Sequence, residues 1–290
     1  MIDLDNFFDT SENSSRPIVE LIISFAAFLV PFFVFVVLQR RIQSPDILTN
    51  APVILPVAVG TISLKVVLGR FFDKSLFQQY GINRKYLKDL VAGIVLGSIF
   101  QGLITILMIQ NGSTELISVF NFSTGVPVHL WLTAFISTVF GFFAVAFWEE
   151  LMFRGVLIKN ASEALNSRLK HRQISTIIAI LLGPIIFGIP HISAIAEGAS
   201  PSFAVFQASV AALYFGIAYV LTDSIAMPIG IHFMSNICFA SILGATENGF
   251  PALARIERNL QLGITTLIEY IIPVLTLIGL IVLYSKITEK

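Results

Sequence analysis

Apolar residues in this chain gather into eight long runs, at 18–38, 51–69, 90–109, 129–147, 174–189, 203–222, 226–244 and 264–284. About 20 apolar residues carry a helix across the hydrocarbon core of a bilayer. The pattern therefore predicts an all-α polytopic membrane bundle of about eight transmembrane helices. The run at 129–147 meets no helix breaker after Gly141 and is predicted to stay helical to about residue 158. There is no internal repeat and no polar block large enough for a soluble domain, so residues 1–290 read as one integral membrane domain. Residues 71–89 mix apolar and basic positions, which fits either an amphipathic helix along the interface or a basic connecting loop.

Composition supports the same class. The chain is 56% apolar and 12% charged, with a mean hydropathy of +0.85, whereas soluble domains carry about 25% charged residues. A formal charge of zero lacks the basic footprint of a nucleic-acid binder. The first 16 residues are acidic (Asp3, Asp5, Asp9, Glu12) with no positive n-region, so the first run is expected to remain as a span. Cys238 is the single cysteine, which rules out an internal disulfide and a thiolate metal cluster; its apolar neighbours Ile237 and Phe239 make it a packing residue.

Eight spans put both termini on one side. With that side cytoplasmic, the inner segments hold twelve Lys and Arg and the outer loops four (Arg40, Arg41, Arg255, Arg258). The positive-inside rule then favours cytoplasmic termini, against the local pull of Arg40-Arg41.

Three polar clusters interrupt this apolar background. Ionisable groups at membrane depth cost about 2.5–3.5 kcal/mol each on insertion scales and mark functional sites by default. The first cluster is Glu149-Glu150-Leu-Met-Phe-Arg154. Residues four apart share a helix face, so Glu150 is expected to pair with Arg154 while Glu149, about 100° around the helix, faces elsewhere. The competing explanation is a helix end emerging among headgroups. With that end near Lys159, Glu149 lies about 13 Å deep at 1.5 Å per residue, too deep for a short side chain to snorkel out.

The second is Phe187-Gly-Ile-Pro-His191. Pro184 and Pro190 break regular hydrogen bonding, and Gly183 and Gly188 allow close backbone approach. Irregular backbone at depth belongs in a protein-buried or wet cavity. The third is His232-Phe-Met-Ser-Asn236, two polar residues on one helical face; taken alone it serves equally as interhelical hydrogen-bonding glue.

The three motifs, in this order on membrane segments, resemble the signatures of the CAAX protease and bacteriocin-processing family, the intramembrane proteases that include the type II CAAX prenyl endopeptidases. The resemblance covers residues 129–244, the expected catalytic core. It implies a helical bundle around a conical cavity open to the cytosol. It assigns Glu149 and His191 to activating the attacking water, His232 and Asn236 to stabilising the oxyanion, and Arg154 to holding the acidic pair, with Glu150 in support. Peptide hydrolysis needs such a base within reach of water and donors aimed at the developing oxyanion.

Metal use stays open. Glu149, His191 and His232 form a His₂Glu set suited to Zn²⁺, but there is no His-Glu-x-x-His helix, and Asn236 suits an oxyanion hole better. The expected partners are membrane lipids and a membrane-proximal peptide or lipidated protein, in the plasma membrane of a prokaryote. A non-catalytic immunity or scaffold protein of the same fold, or a transporter, are the alternatives; a transporter would show inverted repeats, and none is visible.

One expectation is geometric. Glu149 and His232 lie about 9–13 Å from the cytoplasmic ends of their spans, but His191 lies about 26 Å along its own if that helix starts at residue 174. Either residues 174–182 lie partly in the interface, or the Gly183-Pro184 kink redirects the chain. Outside the motifs, His129 and His171 fall at span boundaries, Gly93 and Gly97 are spaced for helix packing, and Glu269 sits in the last span with Lys65 as one conceivable partner.

Overall fold

The first helix of the computed structural model, α1, runs Tyr86–Gln110. The structure describes residues 80–82, 85–120, 127–193, 199–245 and 252–288. The predicted spans at 18–38 and 51–69, and with them Lys65, lie outside the described residues. The interfacial helix at 71–89 falls mostly outside them too; its last four residues form the first turn of α1.

After α1 come strand β1 (Thr114–Val119), α2 (Val128–Glu150), a wide π turn Leu151–Ile158, and α3 (Lys159–Leu169). Helix α4 (Arg172–Gly183) loosens into a π turn at Pro184–Gly188 and tightens into a 3₁₀ turn at Ile189–Ser193. Helix α5 (Pro201–Thr222) leads into α6 (Ala226–Ile237), which ends in a third π turn, Cys238–Ile242. Strands β2 (Leu243–Ala245) and β3 (Ala254–Arg258) and helix α7 (Ile264–Thr288) complete the described chain.

Among the described residues five helices are long and apolar enough to cross a membrane, and α6 with its π turn (Ala226–Ile242) is a shorter apolar helix. Each of the six predicted runs from residue 90 onward is thus a helix. A bilayer solvates this surface: α1 exposes Val91, Val95 and Ile106, and α7 exposes Ile268, Ile272 and Leu275, while Glu150, Arg154, His232 and Glu269 are buried. The chain is an integral membrane protein.

Sequence pattern misses a small sheet. Its strand order is β1-β3-β2, with β1 antiparallel and β2 parallel to β3. Strand β3 buries Ala254, Ile256 and Arg258 in alternation, the period-two signal of a half-buried strand. Arg258, placed in an outer loop by sequence, instead donates to the carbonyls of Phe239 and Leu243 at 3.2 and 2.5 Å and lies 3.6 Å over the Phe239 ring. It thereby satisfies carbonyls left over where α6 ends.

Helix starts and stops follow local chemistry. Ser200 caps α5 by accepting from the Phe203 N–H, with Pro201 in the first turn, and the His171 ring accepts from the Ile174 N–H to start α4. Lys170 (φ 53°) and Asp223 (φ 49°) take left-handed conformations that end α3 and α5. The Asp223 carboxyl, just beyond the α5 span, is raised above its ordinary range by burial, against the opposing charges of Lys159 and Lys85.

Helix α6 is the hub. Every residue from Ala226 through His232 is buried, and α1 crosses it at the Gly93–Gly97 pair. A Cβ on Gly97 would stand 2.9 Å from Met234 Cβ and 3.0 Å from Ile231 Cα, and one on Gly230 would stand 2.5 Å from the Leu90 carbonyl. Small residues allow this backbone-to-backbone approach, and it seats α6 two residues before His232.

Candidate active site

The helix carrying the first motif does not stop where sequence placed its end. α2, the π turn and α3 form one 42-residue rod, Val128–Leu169, about 60 Å long and about twice the hydrocarbon thickness. Leu151 through Ile158 are all buried, so Glu149 and Glu150 sit in mid-rod and not at a helix end.

Glu150 has no exposed surface and Arg154 is 1% exposed. They pair one turn apart, Nε to Oε2 at 3.0 Å and Nη1 donating to Oε1 at 3.2 Å. The guanidinium is sandwiched between Phe187 and Phe215, at 4.8 and 4.9 Å from the ring centroids, a cation–π arrangement that strengthens on desolvation.

The same carboxylate holds His232, whose Nδ1 lies 2.7 Å from Glu150 Oε1. A carboxylate committed to a guanidinium only accepts, so Nδ1 carries the proton. The His232 ring stacks on Phe215 at 5.0 Å and 21°. Its other nitrogen, Nε2, is 3.8 Å from Glu149 Oε2. Glu149, with 18% of its side chain exposed, therefore does not face away: it shares His232 with its neighbour, one carboxylate at each edge of the ring.

His191 is fixed by its own backbone. Its Nδ1 lies 2.7 Å from the Phe187 carbonyl, one turn back. A carbonyl only accepts, so Nδ1 donates, and Nε2 of the neutral ring is left with its lone pair. The Phe187 ring packs on His191 at 4.6 Å, on Phe153 at 4.9 Å and on His232 at 6.3 Å. His191 lies within electrostatic reach of Glu149, as does His232.

The distance problem posed by sequence is resolved by the rod. α3 and α4 are joined only by Lys170 and His171 and pack antiparallel. The first turns of α4 thus run beside α3, beyond the level of the acidic pair, and Phe187 arrives opposite Arg154. Within α4 the backbone changes to π spacing at Pro184.

Asn236 follows His232 by one turn and is half-buried; among the described residues it makes no hydrogen bond. The neighbouring Ser235 hydroxyl donates to the Ile231 carbonyl at 3.0 Å. Sequence reasoning missed Phe215. It sits in an apolar helix of a chain with 26 phenylalanines, and only its place against His232 and Arg154 sets it apart.

Each motif adjoins a π turn: Leu151–Ile158 directly after the acidic pair, Pro184–Gly188 just before His191, and Cys238–Ile242 just after Asn236. Such turns concentrate at functional sites, where they re-aim side chains within a helix. No group of three His, Cys, Asp or Glu among the described residues has metal-holding spacing. With the Nδ1 atoms of both histidines engaged, the two Nε2 atoms and Glu149 are the donors that would face a zinc ion, and as placed they do not stand at metal-holding spacing.

A polytopic helical membrane protein with carboxylates and imidazoles gathered inside its bundle has the makings of an intramembrane hydrolase. Residues 129–238 match the family described as type II CAAX prenyl endopeptidase Rce1-like. All three motifs fall within that stretch, so the resemblance they carry is borne out over this part of the chain. No curated protein and no solved structure matches the chain.

Proposed function

We propose that the chain cleaves a peptide bond in a membrane-proximal peptide or lipidated protein, with Glu149 and His191 activating water and His232 and Asn236 stabilising the oxyanion. The observation that carries this reading is the placement of His232 between two carboxylates, 2.7 Å from Glu150 and 3.8 Å from Glu149.

The roles follow from which edges are engaged. Water lying between Glu149 and the free Nε2 of His191 gives up a proton as its oxygen attacks the peptide carbonyl. With Nδ1 on Glu150, His232 offers a donor to the resulting oxyanion only when Nε2 is also protonated. The ring then works as an imidazolium, its charge balanced by the flanking carboxylates. Asn236 supplies a second, neutral donor through its amide. Glu149 passes the proton it took from the water to the leaving nitrogen, the C–N bond breaks, and an amine and a carboxylic acid, which ionises in water, are released. A preorganised donor is worth about 2.7–4 kcal/mol at the transition state.

The family's description points to prenylated CAAX termini as the first substrate class to try, and the plasma membrane of a prokaryote with cytoplasmic termini is the setting we infer. The test is cleavage by the purified protein in proteoliposomes of a farnesylated peptide ending in a CAAX box and of the same peptide without the lipid. Glu149→Gln should lose about 10²–10⁴ of the rate. A variant that cleaves as fast as wild type would remove the base from the mechanism, and protection of cells by a Glu149→Gln/His232→Ala protein equal to wild type would favour the immunity or scaffold reading.

A further inference from the structure

The second motif owes its aim to a contact from another helix. At Pro184 the chain leaves α-helical spacing, and Pro190 has no N–H to return to the turn before it. Between them α5 takes hold of the segment. Ser209 Oγ donates to the Pro184 carbonyl at 3.1 Å. Gly188 lies directly against the same serine: a Cβ there would overlap Ser209 Oγ and stand 3.1 Å from Ser209 Cβ and 3.2 Å from its Cα. Gly183, at the other end of the π turn, faces Ala212, three residues along α5, at 3.5 Å.

Phe187 sits inside this grip. Its ring is committed to Arg154 and Phe153, and its carbonyl fixes the Nδ1 edge of His191 at 2.7 Å. How closely Gly188 seats on Ser209 therefore sets the rotation of the Phe187 carbonyl, and with it the direction of His191 Nε2. Resting on the water-activating role proposed for His191, we propose that Ser209 is a positioning residue for that histidine, acting through the Pro184 carbonyl and the face of Gly188. No motif marks it: it is a serine in an alanine-rich stretch of α5, eighteen residues after His191.

Two readouts test this. The first needs no substrate: the rate at which diethylpyrocarbonate modifies His191 in the purified full-length protein, followed by mass spectrometry. Ser209→Ala and Gly188→Ala should each change it severalfold. Unchanged modification in both single variants overturns the proposal.

The second is cleavage of the farnesylated CAAX peptide, with thermal unfolding followed in parallel. Ser209→Ala introduces no clash, so it should melt as wild type does while kcat falls about fivefold and KM stays within twofold. Ser209→Thr, which keeps the donor, should retain more of the rate. An unaltered kcat in Ser209→Ala, alongside a large loss in His191→Ala, overturns the positioning role while leaving the catalytic reading intact. Full cleavage by His191→Ala would instead overturn the role of His191 itself, and the inference for Ser209 would fall with it.

Discussion

Glu150 holds His232 by its Nδ1 edge at 2.7 Å, across 82 residues of sequence and from a carboxylate with no exposed surface. The bond ties the first motif to the third and fixes which imidazole nitrogen faces the reaction space. It also changes the work expected of Glu150: beyond neutralising Arg154, it sets the tautomer of a second side chain.

Removing that carboxylate should therefore be costly in two ways. Glu150→Ala leaves the Arg154 guanidinium, 1% exposed, buried without its counter-charge, at a cost of about 3–5 kcal/mol. Thermal unfolding in detergent should show a large loss of stability. Glu149→Gln, at a partly exposed position, should melt close to wild type, so the two neighbouring glutamates separate into one that holds the fold and one that does not.

Asn236 makes no hydrogen bond among the described residues, so its replacement disturbs little in the resting protein. Asn236→Ala is expected to lower kcat by about 10²–10³, the usual loss for one oxyanion donor, with KM and melting temperature nearly unchanged. Steady-state kinetics on the farnesylated peptide check this, and an unchanged kcat would take the residue out of the oxyanion hole.

Gly230 is one of the points where α6 meets the α1 backbone. A Cβ there would come within 2.5 Å of the Leu90 carbonyl and 2.7 Å of the Ile94 nitrogen, both backbone atoms that cannot turn aside. Gly230→Ala should cost about 1–3 kcal/mol through overpacking and should displace His232 two residues on. Lower melting together with lower activity is the expected pair of results.

Asp223 carries the pH prediction. Burial raises its carboxyl above the ordinary value, so the folded state holds this proton more tightly than the unfolded chain does. Its contribution to stability is therefore present below the usual carboxylate range, near pH 4, and is lost as pH climbs through the raised value. Asp223→Asn, which tolerates the left-handed backbone there, should melt higher than wild type at neutral pH and match it in acid.

Much of the site was legible because it is local. Glu150 and Arg154 are one helical turn apart, as are His232 and Asn236, and helix geometry alone puts each pair on one face. The position of His191 was not legible, because counting residues along a straight span assumes that the span starts at the membrane surface. Here the rod runs on to Leu169 and carries the start of α4 with it. The sheet was overlooked for a different reason: β1 and β3 have six and five residues, and a span-length window averages away alternation of that size. Phe215 and Ser209 belong to no spacing rule, since each acquires its role from what lies opposite on another helix.

The rod itself has a consequence for the lipid. Its last stretch, α3, is polar. The apolar part at 128–158 is about 46 Å long, still longer than a hydrocarbon core of about 30 Å, so mismatch is met by a lean or a local thickening that follows membrane thickness. Because the rod is tied to α6 through the Glu150–His232 bond, a thinner or thicker acyl region loads that link and the Glu149 beside it. The turnover proposed above should accordingly peak at one phosphatidylcholine chain length and fall off on either side, making hydrophobic mismatch a setting of the protein and not only of its environment.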